Sequence, residues 1–313
     1  MAKRFSSRSL IKRLASSAGF AFVVLLTAET AFADRTDDER ADQFSRNILS
    51  TLTEDNAADL ALLTQFYIER EMKPVWVDED APTERARELL HVLETSTYDG
   101  LNPQDYDIRT IRELMDARSG AELAELDLRL SLSLMQFLSD LGSGRTEPTA
   151  LDPNLFVYPH DIDKEDAIRA AAKADSIGVF VGGYRPRQID YWRLKGVLAN
   201  YRSMARTGGW PTVDSGPTLK KGERSERVAQ LRARLIRGGD LGRPVASSPP
   251  IDRELFDEAL VEAVKAFQMR HGLEDDGHVG PRTLHALNVP IEQRIEQLIL
   301  NLDCPPSNAD VRD

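Results

Sequence analysis

The stretch VKAFQMRHGLEDDGHVGPRTLHALN, residues Val264–Asn288, joins a helical pattern to a run of turn residues. Gly272 ends the helical pattern, and Asp276-Gly277 is typical of a tight turn that needs a positive φ. Pro281 then predicts the start of another helix, because proline at the first helical position gives up no intrahelical hydrogen bond. The stretch therefore predicts two short helices joined by a polar turn.

A related pattern lies upstream in RVAQLRARLIRGGDL, residues 227–241, which also carries spaced apolar residues and closes on glycine. Two amphipathic helices of this kind, together with the helix that starts at Pro281, predict a three-helix bundle. A bundle this small needs nearly all of its large apolar side chains in the core. The expected core residues are Phe267, Leu273, Val279, Leu284 and Leu287.

The polar turn has a chemical and a structural interpretation. In a hydrolase, the carboxyl groups of residues 274–276 would act as general acid and base. As calcium ligands they would need an Asp-x-Asp-x-Asp-Gly spacing with a later glutamate, which the sequence does not provide. A tight turn accounts for the same residues without chemistry, so we favour a binding fold. The candidate ligand-binding residues then lie at the loop edges and are Gln268, Asp276, Gly277, His278 and Thr283.

Nucleophilic and metal chemistry find little support in the sequence. Cys304 is the single cysteine, and Asp303 precedes it while two prolines follow. A catalytic thiolate needs a nearby base, whereas the nearest histidine in the sequence, His285, lies inside the predicted bundle. The five histidines are scattered and do not form a set with zinc-site spacing. We therefore predict no catalytic residue, no metal site and no cofactor.

Aromatic residues raise one further alternative, a stacking platform for sugar rings formed by Tyr191, Trp192, Tyr201 and Trp210. Tyr191 and Tyr201 fit the buried face of their predicted helix, so a core role is the better interpretation. Trp192 lies off that face and is left as the exposed candidate.

The N-terminal residues have the layout of an export signal. Five basic residues precede an apolar run at Ala18–Ala28, and Ala31-Phe32-Ala33 fits the small-x-small cleavage rule. The alternative is an uncleaved membrane anchor, but the run is shorter than the ~20 residues that a spanning helix needs. We expect a signal peptide at 1–33, a polar lead-in at 34–47, and an exported, periplasmic protein without a stable membrane span.

The charge argues against two classes of partner. The chain of 313 residues has a formal net charge of −11. Residues 1–33 contain five basic groups and one acidic group, so the chain without them carries −15. Nucleic-acid binding requires a basic face, and docking on anionic lipid does too, so we expect neither.

The remaining pattern predicts a mainly α protein with two domains. Apolar residues recur at helical spacing through residues 48–210, which predicts a larger helical domain. Residues 211–218 are rich in proline, glycine, serine and threonine and are interpreted as a linker. The small three-helix domain then covers 219–289, and residues 290–313 remain as a final segment.

Both domains resemble parts of one family. The segments LKKGERSERVAQLRARL and FDEALVEAVKAFQMRHGLEDDGHVGPRTLHALN resemble the peptidoglycan-binding-type-1 module of cell-wall enzymes. The segments YDGLNPQDYD, ELDLRLSLSLMQFLSDLGSGRTEP, RPRQIDYWRLKGVLANYR and GGWPTV resemble the helical scaffold domain of YcbB-type murein L,D-transpeptidases. In that family a signal peptide, scaffold, peptidoglycan-binding module and YkuD-type catalytic domain follow one another.

The resemblance implies a function and also a departure from the family. VPIEQRIEQLILNL looks like the bridge into the catalytic domain, and 290–313 is interpreted as a truncated bridge with an unstructured tail. The family's cysteine nucleophile, in a Ser/Thr-x-Gly-Cys context, has no counterpart here. The expectation is a non-enzymatic, cell-wall-associated protein that binds peptidoglycan through its glycan or stem peptide. The alternative is a stand-alone adaptor that docks a partner cell-wall enzyme through the helical scaffold.

Overall fold

The computed structural model describes residues 56–78, 80–143, 162–242 and 252–303. Within these residues there are eleven α-helices and no β-strand, only three isolated β-bridges, so the predicted mainly α fold is confirmed. The chain divides into two compact units, residues 1–191 with 301–313 and residues 192–300. The signal-peptide, lead-in and Cys304 predictions lie outside the described residues.

The helices follow the chain in order. The first unit contains α1 (Ala57–Glu69), α2 (Glu84–Glu94), α3 (Ile108–Leu114), α4 (Gly120–Ser143), α5 (Lys164–Ala171), α6 (Ile177–Gly182) and the start of α7 (Ile189–Arg206). Two short 3₁₀ helices, Ser96–Asp99 and Pro103–Tyr106, connect α2 to α3. The second unit contains the rest of α7, then α8 (Glu226–Gly238), α9 (Glu258–Arg270), α10 (Pro281–Leu287) and most of α11 (Ile291–Asp303).

Helix α4 is the centre of the first unit and contacts α1, α2, α3 and α5. The sequence predicts this helix at 121–141, with an apolar residue at every third or fourth position. All of those apolar residues are buried: Leu126, Leu130, Leu134, Phe137, Leu138 and Leu141. Each fully buried leucine contributes about 1.5–3 kcal/mol relative to an exposed one, so burial of this stripe contributes substantially to the stability of the unit.

Local hydrogen bonds determine where the helices of the first unit begin. The sequence predicts Thr83 as the N-cap of a helix with Glu84 in its first turn. Thr83 does cap α2, and its hydroxyl also donates to the Trp76 carbonyl at 2.8 Å. At the start of α4, the Ser119 hydroxyl donates to the Glu122 carboxylate at 2.6 Å and accepts from the Glu122 amide at 3.3 Å. This reciprocal pair satisfies amide groups that the first helical turn leaves without a partner.

A buried carboxylate ties α1 and α4 to the segment between α1 and α2. Asp127 on α4 is 3% exposed. Its oxygens accept from the Tyr67 hydroxyl at 2.5 Å, the Val75 amide at 2.9 Å and the Trp76 amide at 2.6 Å. Ser131, one turn along α4, accepts from the Trp76 indole N–H at 2.9 Å. Burial raises the pKa of the Asp127 carboxyl, and the donated hydrogen bonds oppose that shift.

A second buried carboxylate, Asp99, lies in the 3₁₀ turn after α2. Arg185 donates to both Asp99 oxygens at 3.0 Å, which is the bidentate geometry of a strong ion pair. The Tyr191 hydroxyl donates to the same carboxylate at 2.6 Å. Burial and the neighbouring Asp99 charge raise the pKa of Tyr191. The turn that follows α2 and the start of α7 are therefore held together within the first unit.

The second unit is built around the predicted three-helix bundle of α8, α9 and α10. Its buried core includes Val228, Leu231, Leu235, Phe256, Leu260, Val264, Phe267, Val279 and Leu287. Of the predicted core residues, Phe267, Val279 and Leu287 are fully buried, whereas Leu273 and Leu284 are partly buried. A β-bridge between Leu219 and Val279 closes the bundle where the chain enters it.

Residues 211–218 lie along this bundle. Val213 is buried in its core, and its amide and carbonyl exchange hydrogen bonds with the Asn288 side chain at 2.9 and 2.8 Å. The Arg227 guanidinium donates to the carbonyls of Asp214 and Pro217. A composition rich in proline, glycine and serine disfavours helix, but it serves a linker and a packed extended segment equally well. The predicted domain limits at 210 and 219 stay predictions; by contacts the division falls inside α7.

Candidate functional site

The five candidate ligand-binding residues lie together at one end of the bundle. Gln268 is on the last turn of α9, residues 276–278 form the following turn, and Thr283 is in α10. The Gln268 amide nitrogen donates to the Asp276 carboxylate at 2.8 Å, to the His278 carbonyl at 2.9 Å and to the Thr283 hydroxyl at 3.1 Å. Its carbonyl oxygen accepts from the Gly277 amide at 2.9 Å. We call this network the turn cluster.

The turn cluster directs most of its polar groups inward. Gln268 is 1% exposed and Thr283 is also buried, so these two side chains organise the turn from inside. Gly277 has a φ of 71°, and a Cβ there would lie 3.0 Å from a methyl group of Val261. Both the backbone conformation and the space therefore require glycine.

Asp276 and His278 are the members of the turn cluster that face solvent, with side chains 44% and 45% exposed. The His278 amide donates to the Asp276 carboxylate at 2.8 Å, and this bond is the main cause that lowers the pKa of Asp276. The surface that the turn cluster offers to a ligand is therefore one carboxylate beside one imidazole ring.

A second polar group, which the sequence did not predict, lies on the same unit. It comprises Arg234 on α8, Arg270 on α9 and Arg294 on α11, with Tyr201, Trp210 and Asp240 around them. We call it the arginine cluster. The guanidinium carbon of Arg234 lies 3.9 Å from the centre of the Trp210 ring, a close cation–π contact. Trp210 in turn packs edge-on against Tyr201 at 5.4 Å.

The arginine cluster contains one carboxylate against three guanidinium groups. Arg270 donates to both oxygens of Asp240, at 2.6 and 2.8 Å. Arg234 is 3% exposed and donates from Nε to the Leu287 carbonyl at 2.8 Å. Arg294 donates to the Gln297 side chain at 3.0 Å. Among the described residues, neither Arg234 nor Arg294 has a carboxylate within salt-bridge distance.

Burial and mutual repulsion act on these arginines. Burial, together with the positive charges of Arg270 and Arg294, lowers the pKa of Arg234 to about 10, while Asp240 and Tyr201 oppose the shift. Burial also lowers the pKa of Arg294. At neutral pH all three remain protonated, so this part of the unit holds an excess of positive charge.

The remaining candidates have these positions. Trp192 is exposed, as its place off the buried face predicts, and the Lys195 ammonium lies 5.0 Å from its ring centre. Tyr191 is buried and Tyr201 partly so. In the described ranges, three or more His, Cys, Asp or Glu side chains do not gather in an arrangement that would hold a metal ion. In the same ranges, no helix is both long and apolar enough to span a membrane.

Sequence reasoning missed the arginine cluster for a physical reason. Arg234 occupies the buried face of α8 between Leu231 and Leu235, where an apolar residue is expected. An arginine on such a face is the one available signal. Its stacking partner Trp210 lies 24 residues upstream, and that pairing exists only in the folded unit.

The two units differ in charge. Residues 192–300 contain 17 lysines or arginines and 14 aspartates or glutamates, a net charge of +3. The rest of the chain contains 23 and 37, a net charge of −14, which together give the −11 of the whole chain. The unit that carries the turn and arginine clusters is thus the cationic part of an acidic protein.

Comparison with known proteins identifies two domains in this chain. The family model described as a scaffold domain matches residues 61–198, and the model described as a putative peptidoglycan binding domain matches residues 224–287. The second match covers the three-helix bundle with its turn cluster. Among curated proteins, the N-acetylmuramoyl-L-alanine amidase CwlM of Mycobacterium tuberculosis is 39% identical over 80 residues. That alignment covers 25% of this chain and 20% of the relative, so the chain spans about a fifth of the relative's length.

Proposed function

We propose that this protein is exported to the cell wall, where its second unit binds peptidoglycan and its first unit serves as a scaffold. The scaffold is proposed to be of the kind found in YcbB-type L,D-transpeptidases. The match of residues 224–287 to a putative peptidoglycan binding domain carries the proposal. The name of the M. tuberculosis relative refers to a cell-wall amidase, which agrees with a wall-associated role.

The folded bundle supports this proposal through the turn that follows α9. The matched residues include the whole turn cluster, in which Gln268 bonds to three acceptors and one amide. A turn held from inside presents its exposed groups in one conformation. Pre-organised groups lose little entropy on binding, so a shallow surface of this kind can still bind a polymer.

The first unit is proposed to position the second and to do no chemistry. Its two most deeply buried carboxylates, Asp99 and Asp127, each accept several hydrogen bonds from fixed donors. A carboxylate in such a setting is an acceptor for the fold and is poorly placed to transfer protons to a substrate. The proposed contribution of residues 56–303 is therefore binding and positioning.

Co-sedimentation with purified sacculi tests the function. The chain should pellet with sacculi and stay in the supernatant with chitin, which has a related glycan backbone but no stem peptides. Pelleting with both polymers would assign binding to the glycan and keep the function. Failure to pellet with sacculi, for a chain shown by circular dichroism to be folded, would overturn it.

A further inference from the structure

The arginine cluster has more positive charge than its own unit neutralises. Three guanidinium groups lie near Tyr201, and within the part of the chain that the structure describes Asp240 is the one carboxylate bonded to any of them. Buried charges in proteins are normally paired, because an unpaired ion loses its hydration without compensation. An excess of this kind within a small bundle calls for an explanation beyond the stability of the fold.

An unsatisfied donor lies at the base of the arginine cluster. The Nη1 group of Arg234 is buried and has no hydrogen-bond partner within the described part of the chain. Most buried polar atoms in folded proteins have a partner, so such an atom is an exception. Trp210 covers one face of the same guanidinium, and Nε donates to the Leu287 carbonyl. Nη1 is the buried nitrogen that is left without a hydrogen bond.

The end of α8 packs closely against this edge. A Cβ on Gly238 would lie 2.7 Å from Arg234 Nη1 and 3.0 Å from an Asp240 oxygen. Any side chain at position 238 would therefore displace both groups. The glycine keeps Arg234 and Asp240 close together at the end of α8, where Arg270 also reaches Asp240.

The arginine cluster is open on one side. Arg270 has a side chain that is 46% exposed, and Arg294 is partly exposed. Arg234 and Asp240 are covered, with the Asp240 side chain only 6% exposed. A ligand can therefore contact Arg270 and Arg294 directly. The buried positive charge of Arg234 would also attract an anionic ligand, because the local dielectric constant is low.

We propose that the arginine cluster binds a carboxylate group of a peptidoglycan stem peptide, with Arg270 and Arg294 as the contacting residues and Arg234 as a buried positive charge beneath them. The planar fork of a guanidinium matches both oxygens of a carboxylate. Arg270 already donates to one carboxylate, that of Asp240, from Nη2 to both oxygens. A second anion would lower the excess from two positive charges to one.

This inference rests on the proposed function, and it specifies which group of the polymer is recognised. Stem peptides carry free carboxylates, whereas the glycan backbone of chitin carries none. The cationic character of residues 192–300, against the acidic remainder, also favours an anionic partner for this unit.

Calorimetric titration of the full chain with a disaccharide-tetrapeptide tests the inference. The probe is used with free carboxylates and in a form with every carboxylate amidated. Arg294→Gln should weaken binding of the free form about tenfold, the loss of one charge-assisted contact. Arg282→Gln, on the exposed surface of α10, removes the same charge and should change affinity by less than about twofold.

The amidated probe provides the second arm. It should bind the unmodified chain about as weakly as the Arg294→Gln variant binds the free probe. The Arg294→Gln variant should bind the amidated probe no more weakly than that, so the two losses of affinity should not add. Arg294→Lys keeps the charge without the fork and should fall between the two. Thermal unfolding followed by circular dichroism checks that each variant is folded. If Arg294→Gln does not fold, Arg294→Lys takes its place in the test.

The outcomes separate the inference from the function beneath it. Equal affinity of Arg294→Gln and Arg282→Gln, or no effect of amidation, overturns the carboxylate site while sacculus binding of the unmodified chain persists. Loss of sacculus binding by the unmodified chain overturns the proposed function itself.

Discussion

The two units bury charge in opposite ways. In the first unit the buried ions are carboxylates, and Asp127 accepts from a phenol and two backbone amides. Among the described residues of the second unit two arginines are buried. Arg232 pairs with Asp257 at 2.8 Å, whereas Arg234 lies against the Trp210 ring, donates to one carbonyl and keeps an unsatisfied donor. A carboxylate that satisfies three donors organises a fold. A guanidinium without a carboxylate partner keeps a positive charge that can attract an anionic ligand.

The largest effect is expected from removing the carboxylate in the first unit. Asp127→Ala would leave the buried amides of Val75 and Trp76 without their carboxylate acceptor, and it would remove the 2.5 Å hydrogen bond of the Tyr67 hydroxyl, which also bonds to Ser131 at 2.7 Å. The expected loss is about 3–5 kcal/mol in the free energy of unfolding, because breaking a buried polar network strands its remaining members. Urea unfolding followed by tryptophan fluorescence measures it.

Two variants sharpen that comparison. Asp116→Ala removes an exposed carboxylate from the same unit and should change stability by less than about 0.5 kcal/mol. Arg234→Met replaces the buried cation with an apolar side chain of similar length and should cost less than about 1 kcal/mol. If Arg234→Met destabilised the protein as much as Asp127→Ala, the contrast between the units would be wrong.

A moderate effect is expected in the turn cluster. Gly277→Ala would force an alanine into a positive φ and bring its Cβ 3.0 Å from Val261, for an expected loss of about 1–3 kcal/mol. Gly272 has a similar φ of 63° but open space around it. Gly272→Ala is therefore the matched control, and the difference between the two melting curves isolates the crowding. Equal losses would assign the whole effect to backbone conformation.

The smallest effect is a pH dependence of the second unit. His271 ends α9 and stacks on Phe267 at 4.0 Å, and burial lowers the pKa of its imidazole, with the charges of Arg270 and Arg294 adding to the shift. A base with a lowered folded-state pKa binds protons more readily when unfolded. Stability should therefore fall as the pH drops below the unfolded value of about 6.5.

His271→Gln should flatten that decline in melting temperature, because it removes the imidazole whose pKa is lowered in the folded state. His285 is exposed on α10, so His285→Gln is expected to leave the pH profile unchanged. A profile that is the same in all three proteins would rule out His271 as the cause.

Much of this fold follows from local rules. The stripe from Leu126 to Leu141 has helical spacing, and an apolar face of that kind is buried wherever the helix packs. Thr83 caps α2, Pro281 starts α10 and Gly277 adopts a positive φ, as the sequence predicts. Each of these depends on a few neighbouring residues, so the chain itself carries enough information.

Helix α6 was harder to predict. So were the limits of the second unit, because the division by contacts falls inside α7. Helix α6, Ile177–Gly182, is only six residues long and contains two glycines, so its periodicity is too short to recognise. It forms because Glu88 on α2 accepts from the Ser176 hydroxyl and the amides of Ile177 and Gly178. Such a helix depends on a distant side chain more than on its own sequence.

The sequence by itself determined the helical class, the three-helix bundle and the glycine turn, because periodicity and backbone restriction act over a few residues. Tertiary structure alone decided which polar groups meet. It placed Asp127 beneath Trp76 and stacked Arg234 on Trp210, pairings that span 51 and 24 residues. Charges act through space and are weighted by burial, so their roles become defined only when the fold has excluded water from around them.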